Sequence, residues 1–263
     1  MMEIRDIPDL LRWRKEAGGP VGFVPTLGGL HAGHGALMAA SLEDNQTTLV
    51  SIFLNPTQFD DPADCSAYPA SLEADLAYCR ERKVPVVFLP AFDDLYPDGY
   101  TYRVEETHES RHLEGASRPG HFSGMLTVVL KLLLLVRPDN AYFGEKDWQQ
   151  LQLIKGLAEA FFLPTCIVAV PTVRAADGLA LSTRNTRLSE DDRRRAPAFH
   201  RIMATAPSPE SARQDLETLG FEVEYVEDRH GRRLGAVRLE GTRLIDNLDL
   251  QRIAAPATRE SAP

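Results

Sequence analysis

The sequence predicts an α/β protein in which a doubly wound parallel sheet is followed by a small α+β C-terminal domain. Three observations predict it. Up to residue 188, short β-branched runs alternate with amphipathic segments, which is the pattern left by βαβ units. A glycine-rich stretch joins the first run to the first amphipathic segment, as at the opening turn of many parallel sheets. From residue 189 the pattern changes to helices followed by two apolar runs that flank His230-Gly231, a hairpin signal.

The candidate strands are 21–24, 48–54, 86–89, 140–143 and 166–170, each bounded by Pro, Gly or Asn. Segments 33–44, 71–83, 122–136 and 147–161 carry apolar residues at helical spacing and supply the crossovers. Residues 93–121 are rich in Asp, Tyr, Gly, Arg and His, and so long a connection points to an active-site flap. Ser189 with Asp192 three residues on reads as a helix N-cap that opens the basic stretch Arg193-Arg194-Arg195. Pro207 and Pro209 separate that helix from another at 210–219, and 223–226 and 236–239 form the hairpin arms. The expected organisation is a Rossmann-like domain over 1–188, a smaller domain over 189–251 and a disordered, Ala-, Pro- and Thr-rich tail over 252–263.

At 263 residues the chain can bury one large core and a small second one. Lys plus Arg number 29 against 38 Asp plus Glu, and the net charge of −9 disfavours nonspecific attraction to nucleic acid or anionic membranes. The first residues, Met1-Met2-Glu3-Ile4-Arg5-Asp6, lack the basic stretch and apolar run of a secretory signal, so a cytoplasmic protein is expected. The most apolar stretch, 125–136, contains Lys131 and falls short of the roughly 18–20 residues of a spanning helix, so it reads as a buried helix. Cys65, Cys79 and Cys166 are odd in number, widely spaced and without a CxxC pair. They are expected to be reduced packing residues, neither a disulfide framework nor a zinc site.

The strongest chemical signal is Pro25-Thr26-Leu27-Gly28-Gly29-Leu30-His31-Ala32-Gly33-His34, which leaves the first strand and enters the first helix. Ligands of open α/β sheets sit beyond the carboxyl ends of strands, where a helix N-terminus offers unpaired N–H groups to phosphate. Gly28, Gly29 and Gly33 let the backbone approach closely, and His31 and His34, three apart, can present both imidazoles to one side. A zinc pair lacks a third ligand within reach, and two solvated loop histidines would leave the glycines unexplained. Gln58 and Gln150 stand at expected strand and helix ends, where an amide suits hydroxyls and carboxylates. Lys146, after Gly144 at a helix start, can reach phosphate as a flexible point charge, while Asp147 reads equally as a site residue or as a helix cap.

The HxGH element His31-Ala32-Gly33-His34 is similar to the signature of the nucleotidylyltransferase superfamily that includes class I aminoacyl-tRNA synthetases. Leu181-Ser182-Thr183-Arg184-Asn185 stands where that superfamily carries its second, triphosphate-gripping loop. Longer strings resemble the pantothenate synthetase (pantoate–beta-alanine ligase) family. They are Ser51-Ile52-Phe53-Leu54-Asn55-Pro56-Thr57-Gln58-Phe59, Leu113-Glu114-Gly115-Ala116-Ser117-Arg118-Pro119-Gly120-His121-Phe122, Phe143-Gly144-Glu145-Lys146-Asp147-Trp148-Gln149-Gln150 and Arg243-Leu244-Ile245-Asp246-Asn247.

The resemblance implies condensation of pantoate with beta-alanine using ATP and Mg²⁺, through a pantoyl adenylate, in a homodimer whose smaller domain acts as a lid. It implies a catalytic set of His31, His34, Lys146, Ser182 and Arg184, with His34 as general acid. ATP would also meet Leu27, Gly28, Gly29, Leu30, Ala32, Gly33, Gly144, Glu145, Asp147, Val173, Leu181 and Thr183, and the acid and amine would meet Gln58 and Gln150. No protein-held metal is implied. Arg118 and His121 stay outside the named set, because such side chains on a loop are commonly solvated. Leu27, Leu54, Thr57 and Thr183 depart mildly from the family pattern, and the smaller domain looks shortened between 205 and 223. Another adenylyl or cytidylyl transferase would share HxGH but have no need of Gln58 and Gln150, and a non-catalytic ATP sensor is disfavoured because the full set of phosphate-handling side chains is present.

Overall fold

The computed structural model describes residues 1–251, so the expectation of a disordered tail over 252–263 lies outside the described residues. The chain forms two units: Met1–Val173 with Leu181–Thr183, and Arg174–Ala180 with the chain from Arg184 onward. It thus passes between them after 173, 180 and 183, where the sequence suggested one boundary at 188.

The first unit opens with β1 (Met2–Ile4), α1 (Ile7–Glu16), β2 (Val21–Thr26), α2 (Ala32–Asp44) and β3 (Thr47–Ile52). Next come α3 (Pro62–Ser66), α4 (Leu72–Glu81), β4 (Val86–Phe88), α5 (Phe92–Leu95) and α6 (Glu114–Ser117). It closes with α7 (His121–Val136), β5 (Asn140–Gly144), α8 (Trp148–Ala160) and β6 (Cys166–Val170). β1 and α1 were not foreseen. A three-residue strand carries little periodicity, yet α1 has a legible start: the Asp6 carboxylate accepts the Asp9 N–H at 2.8 Å and Pro8 sits in the first turn.

The six strands are all parallel, in the order β1-β4-β3-β2-β5-β6. Alternate residues point to opposite faces. Phe23, Leu49, Phe88 and Phe143 pack with Leu10 of α1, Leu126 and Leu133 of α7 and Ile154 of α8. Val24, Val50, Val87 and Tyr142 pack with Met38 of α2 and Leu76 of α4. Helices therefore cover both faces, and burying a side chain such as Leu126 contributes about 1.5–3 kcal/mol. β2 has β3 on one side and β5 on the other, so the crevice at their carboxyl ends is the switch point of the sheet.

α7 is the apolar stretch noted above. It ends where Arg137, at φ 46°, turns left-handed and donates its N–H to Leu133 O at 2.8 Å, and Pro138 cannot continue a helix. The long connection before it, expected to be an active-site flap, is tied down around residues 106–114. Glu106 accepts the N–H groups of His108, Glu109 and Ser110 at 2.9, 3.1 and 2.6 Å, and Gln149 of α8 binds Glu109 O, His112 O and Glu114 N at 2.8, 2.9 and 3.1 Å. Of the three free cysteines only Cys79 is buried; Cys166 is exposed. Among the described residues no helix is long and apolar enough to cross a membrane.

The second unit contains α9 (Glu190–Arg195), α10 (Pro197–Thr205), α11 (Pro209–Thr218) and the antiparallel strands β7 (Glu222–Arg229), β8 (Arg232–Leu239) and β9 (Thr242–Asp249). Ser189 caps α9, accepting the Asp192 N–H at 3.1 Å. The foreseen hairpin turns at His230 and Gly231, whose φ values of 51° and 75° are those of a primed turn. β9 is a third strand the hairpin signal did not announce, formed by the Arg243–Asn247 string. Its core gathers Phe199, Met203, Leu216, Val237 and Leu244.

Candidate active site

The turn between β2 and α2 is built around glycines and one buried carboxylate. Gly28 and Gly29 have φ values of 88° and 65°, which strain any residue with a Cβ. Thr26 Oγ1 donates to Ser51 O at 2.8 Å and accepts the Gly28 N–H at 3.3 Å. The Asp75 carboxylate of α4, 3 % exposed, accepts the N–H groups of Gly29 and Leu30 at 2.9 and 2.7 Å. Sequence reading missed Asp75, because its partners lie 45 and 46 residues upstream.

The two histidines brace each other through the backbone. His31 caps α2, its Nδ1 accepting the Gly33 N–H at 3.0 Å, while His34 Nδ1 accepts the His31 N–H at 3.2 Å. A nitrogen that accepts carries no proton, so both neutral rings hold theirs on Nε2. The rings lie 4.2 Å apart between centroids. Burial, then the Lys146 ammonium, pushes His31 down to about 4; burial, then His31 and Lys146, pushes His34 down to about 3. Both are therefore neutral at pH 7 and offer Nε2–H as hydrogen-bond donors.

Lys146 follows the carboxyl end of β5, in a 3₁₀ turn over Glu145–Asp147. Its ammonium lies 3.5 Å from Asp147 Oδ1. Asp147 makes no side-chain cap bond at α8, so of its two sequence readings the cap is not realised. Leu181–Thr183 returns to the first unit and meets the same turn. Leu181 N donates to Val173 O at 3.0 Å, and Thr183 Oγ1 donates to Gly29 O at 2.9 Å. Thr183 Cγ2 would lie only 2.5 Å from a Cβ at Gly29, so a glycine is required there. Leu27, Leu30, Ala32, Gly33, Gly144 and Ser182 fall on these same segments, whereas Arg184 belongs to the second unit.

Gln58 ends a 3₁₀ turn after β3 and is 8 % exposed. Asn55 Nδ2 donates to its Oε1 at 3.1 Å. His121 Nδ1 donates to the Gln58 carbonyl at 2.8 Å, and Arg118 reaches His121 Nε2 at 3.1 Å and Asp60 at 3.2 Å. Arg118 and His121, left aside as commonly solvated, are instead tied to Gln58; His121 is 6 % exposed. Of the adjacent glutamines on α8, Gln149 is consumed by the 109–114 segment, whereas Gln150 is half-buried and makes no such bonds among the described residues. Among the described residues no group of three or more His, Cys, Asp or Glu is arranged to hold a metal ion.

Fold and site define an α/β enzyme that carries an HxGH turn at the switch point of a parallel sheet. The family model described as pantoate-beta-alanine ligase matches residues 1–249. The chain belongs to the pantoate-beta-alanine ligase family. It is similar to the pantothenate synthetase of Bdellovibrio bacteriovorus, with 47% identity over 247 residues, covering 94% of this chain and 98% of the relative. That of Coxiella burnetii is 49% identical over 228 residues, covering 87% of this chain and 88% of the relative. Among solved structures, the pantoate-beta-alanine ligase of Francisella tularensis, complexed with beta-gamma ATP and beta-alanine, superposes with a TM-score of 0.91 at 39% identity over 95% of this chain and 98% of that chain. Pantothenate synthetase from Thermus thermophilus gives 0.88 at 37% identity, over 95% and 99%.

Proposed function

We propose that this chain condenses pantoate with beta-alanine in two steps at one site. In the first, a pantoate carboxylate oxygen bonds to the α-phosphorus of ATP and the bond to diphosphate breaks, giving pantoyl adenylate. In the second, the beta-alanine amine bonds to the acyl carbon, AMP leaves with the bonding pair, and the nitrogen loses a proton. Adenylation is needed because a free carboxylate has no tolerable leaving group. The protein's work is then positioning and charge stabilisation at phosphorus.

The observation that carries this reading is the tautomer lock at the HxGH turn. Two neutral imidazoles, each with its proton held on Nε2, stand beside the Lys146 ammonium at the switch point. We assign His31 and His34 as donors to phosphate oxygens, with Lys146, Ser182 and Arg184 as further charge-handling groups. Because His34 is neutral before ligand binds, its role as general acid reduces to donation from Nε2–H unless polyphosphate draws a second proton onto the ring. Gln58 and Gln150 are assigned to the acid and amine. Mg²⁺ arrives on the nucleotide as part of the substrate, keeping much of its water. A cytoplasmic homodimer with the second unit as lid completes the reading, and light scattering in solution tests the dimer.

The deciding experiment is exchange of labelled diphosphate into ATP. Exchange that requires pantoate, followed by AMP release only on adding beta-alanine, is expected. Exchange that ignores pantoate points to a different acid, and AMP formation without any exchange excludes the adenylate.

A further inference from the structure

A main-chain carbonyl two side chains away dictates which end of the Gln58 amide can meet a ligand. Gly124, in the first turns of α7, lies against the turn Pro56–Gln58; a Cβ there would stand 2.1 Å from Thr57 O. A main-chain carbonyl only accepts, so the Asn55 atom 3.3 Å from Gly124 O is the amide nitrogen. That nitrogen also donates to Gln58 at 3.1 Å, and the receiving atom must be the oxygen Oε1. Gln58 is left with Nε2, which donates and does not accept, as the group for a ligand.

Two hydroxyls hold the other end of Asn55. Thr57 Oγ1 and Tyr96 Oη each donate to Asn55 Oδ1 at 3.0 Å and stand 3.3 Å from one another. Asn55 is fully buried and Tyr96 is 1 % exposed, so water does not compete for these bonds. A flipped Asn55 would set its oxygen against the Gly124 carbonyl, leaving buried acceptors facing each other. From the opposite direction His121 and Arg118 fix the Gln58 carbonyl, at 2.8 and 3.4 Å.

We propose that Tyr96 and Thr57 are positioning residues that act through Asn55 to lock Gln58 as a hydrogen-bond donor toward the acid substrate. The subsite then takes a carboxylate or hydroxyl oxygen as acceptor and rejects a donor placed there. This rests on the reading of Gln58 as a residue that binds the acid.

The test is steady-state kinetics of the full chain with pantoate varied at saturating ATP and beta-alanine. Variants are Thr57→Val, Tyr96→Phe, their combination, Gln58→Ala and Gln58→Glu. Each single hydroxyl deletion is expected to raise the pantoate KM about 2–10-fold, since one donor still holds Asn55. The double variant should raise it by more than the product of the two and lower Tm, because the buried Asn55 Oδ1 then has no donor, while the ATP KM stays near the parent's. Gln58→Glu, which offers an oxygen where Nε2 stood, should raise the pantoate KM further than Gln58→Ala. A parental pantoate KM in the double variant, with Gln58→Ala impaired, overturns the relay and leaves the Gln58 reading standing. An unimpaired Gln58→Ala overturns both. If the double variant does not fold, the glutamate comparison decides: a Gln58→Glu enzyme that binds pantoate as well as the parent overturns the donor assignment.

Discussion

At the scale of single residues, the site rests on groups whose protons are assigned by neighbours. His34 has its Nδ1 engaged by a backbone N–H, so its one free donor is Nε2. Replacing it by Ala should lower kcat on the order of 10²–10³-fold, the usual cost of removing one preorganised donor to developing charge, with Tm little changed. Diphosphate exchange measures it. The same rings predict a pH dependence of stability. Their folded pKa values, about 4 for His31 and about 3 for His34, lie below the unfolded value near 6.5, so between these limits the unfolded chain binds more protons. Stability of the ligand-free enzyme is therefore full above about pH 6.5 and falls as pH drops toward 4. Thermal melts at stepped pH check this, and a Tm that rises on acidification contradicts it. Asp75 offers a third test. Asp75→Ala leaves the N–H groups of Gly29 and Leu30 without their partner, and should cost about 3 kcal/mol in urea unfolding together with a raised ATP KM.

At the scale of elements, α7 does two jobs. Its apolar face fills the core, and its first turns carry Gly124 into van der Waals range of the Pro56–Gln58 turn. Gly124→Ala places a methyl group 2.1 Å from Thr57 O, with backbone on one side and helix on the other, so one of them must shift. The expected outcome is a loss of about 1–3 kcal/mol in stability and a higher pantoate KM, read by melting and by kinetics. Sequence periodicity found α7, α2, α4 and α8, because long amphipathic segments carry their own signal. It passed over β1 and β9 for different reasons: β1 is only Met2–Ile4, and β9, Thr242–Asp249, mixes charged, polar and apolar residues without strict alternation, in a string noted for its family resemblance. The 93–121 connection read as an active-site flap because it is long and rich in Asp, Tyr, Gly, Arg and His. Its order comes from Glu106 and Gln149, whose bonds to backbone N–H and C=O groups leave no trace in periodicity.

At the scale of the whole molecule, the chain's two units have separate cores and separate polar anchors. In the second, Asp246 is 4 % exposed and accepts from Arg174 at 2.7 and 2.8 Å and pairs with His200 at 3.1 Å. Burial works against its charge, yet His200 and Arg174 together hold the carboxyl below its ordinary range. A depressed carboxyl stabilises above its unfolded pKa, and that contribution is lost as pH falls through the folded value. Asp246→Ala should destabilise the second unit by about 2–3 kcal/mol, less than for a fully buried pair because Arg174 keeps 22% of its side chain in solvent. Calorimetry should then resolve an early transition for that unit, with the first unit's melting unchanged.

The sequence alone determined the alternation of strands and helices, the HxGH turn and the residue types that suit phosphate and carboxylate chemistry. These are local properties, set by periodicity and by what glycine and histidine allow over ten residues. Only the tertiary structure decided which protons those residues carry and which amide faces a ligand. Asp75 beneath the turn, Thr183 against Gly29, and Gly124 behind Asn55 and Gln58 are partners separated by 45 to 154 residues, and a buried hydrogen bond takes its direction from whatever group the fold brings opposite.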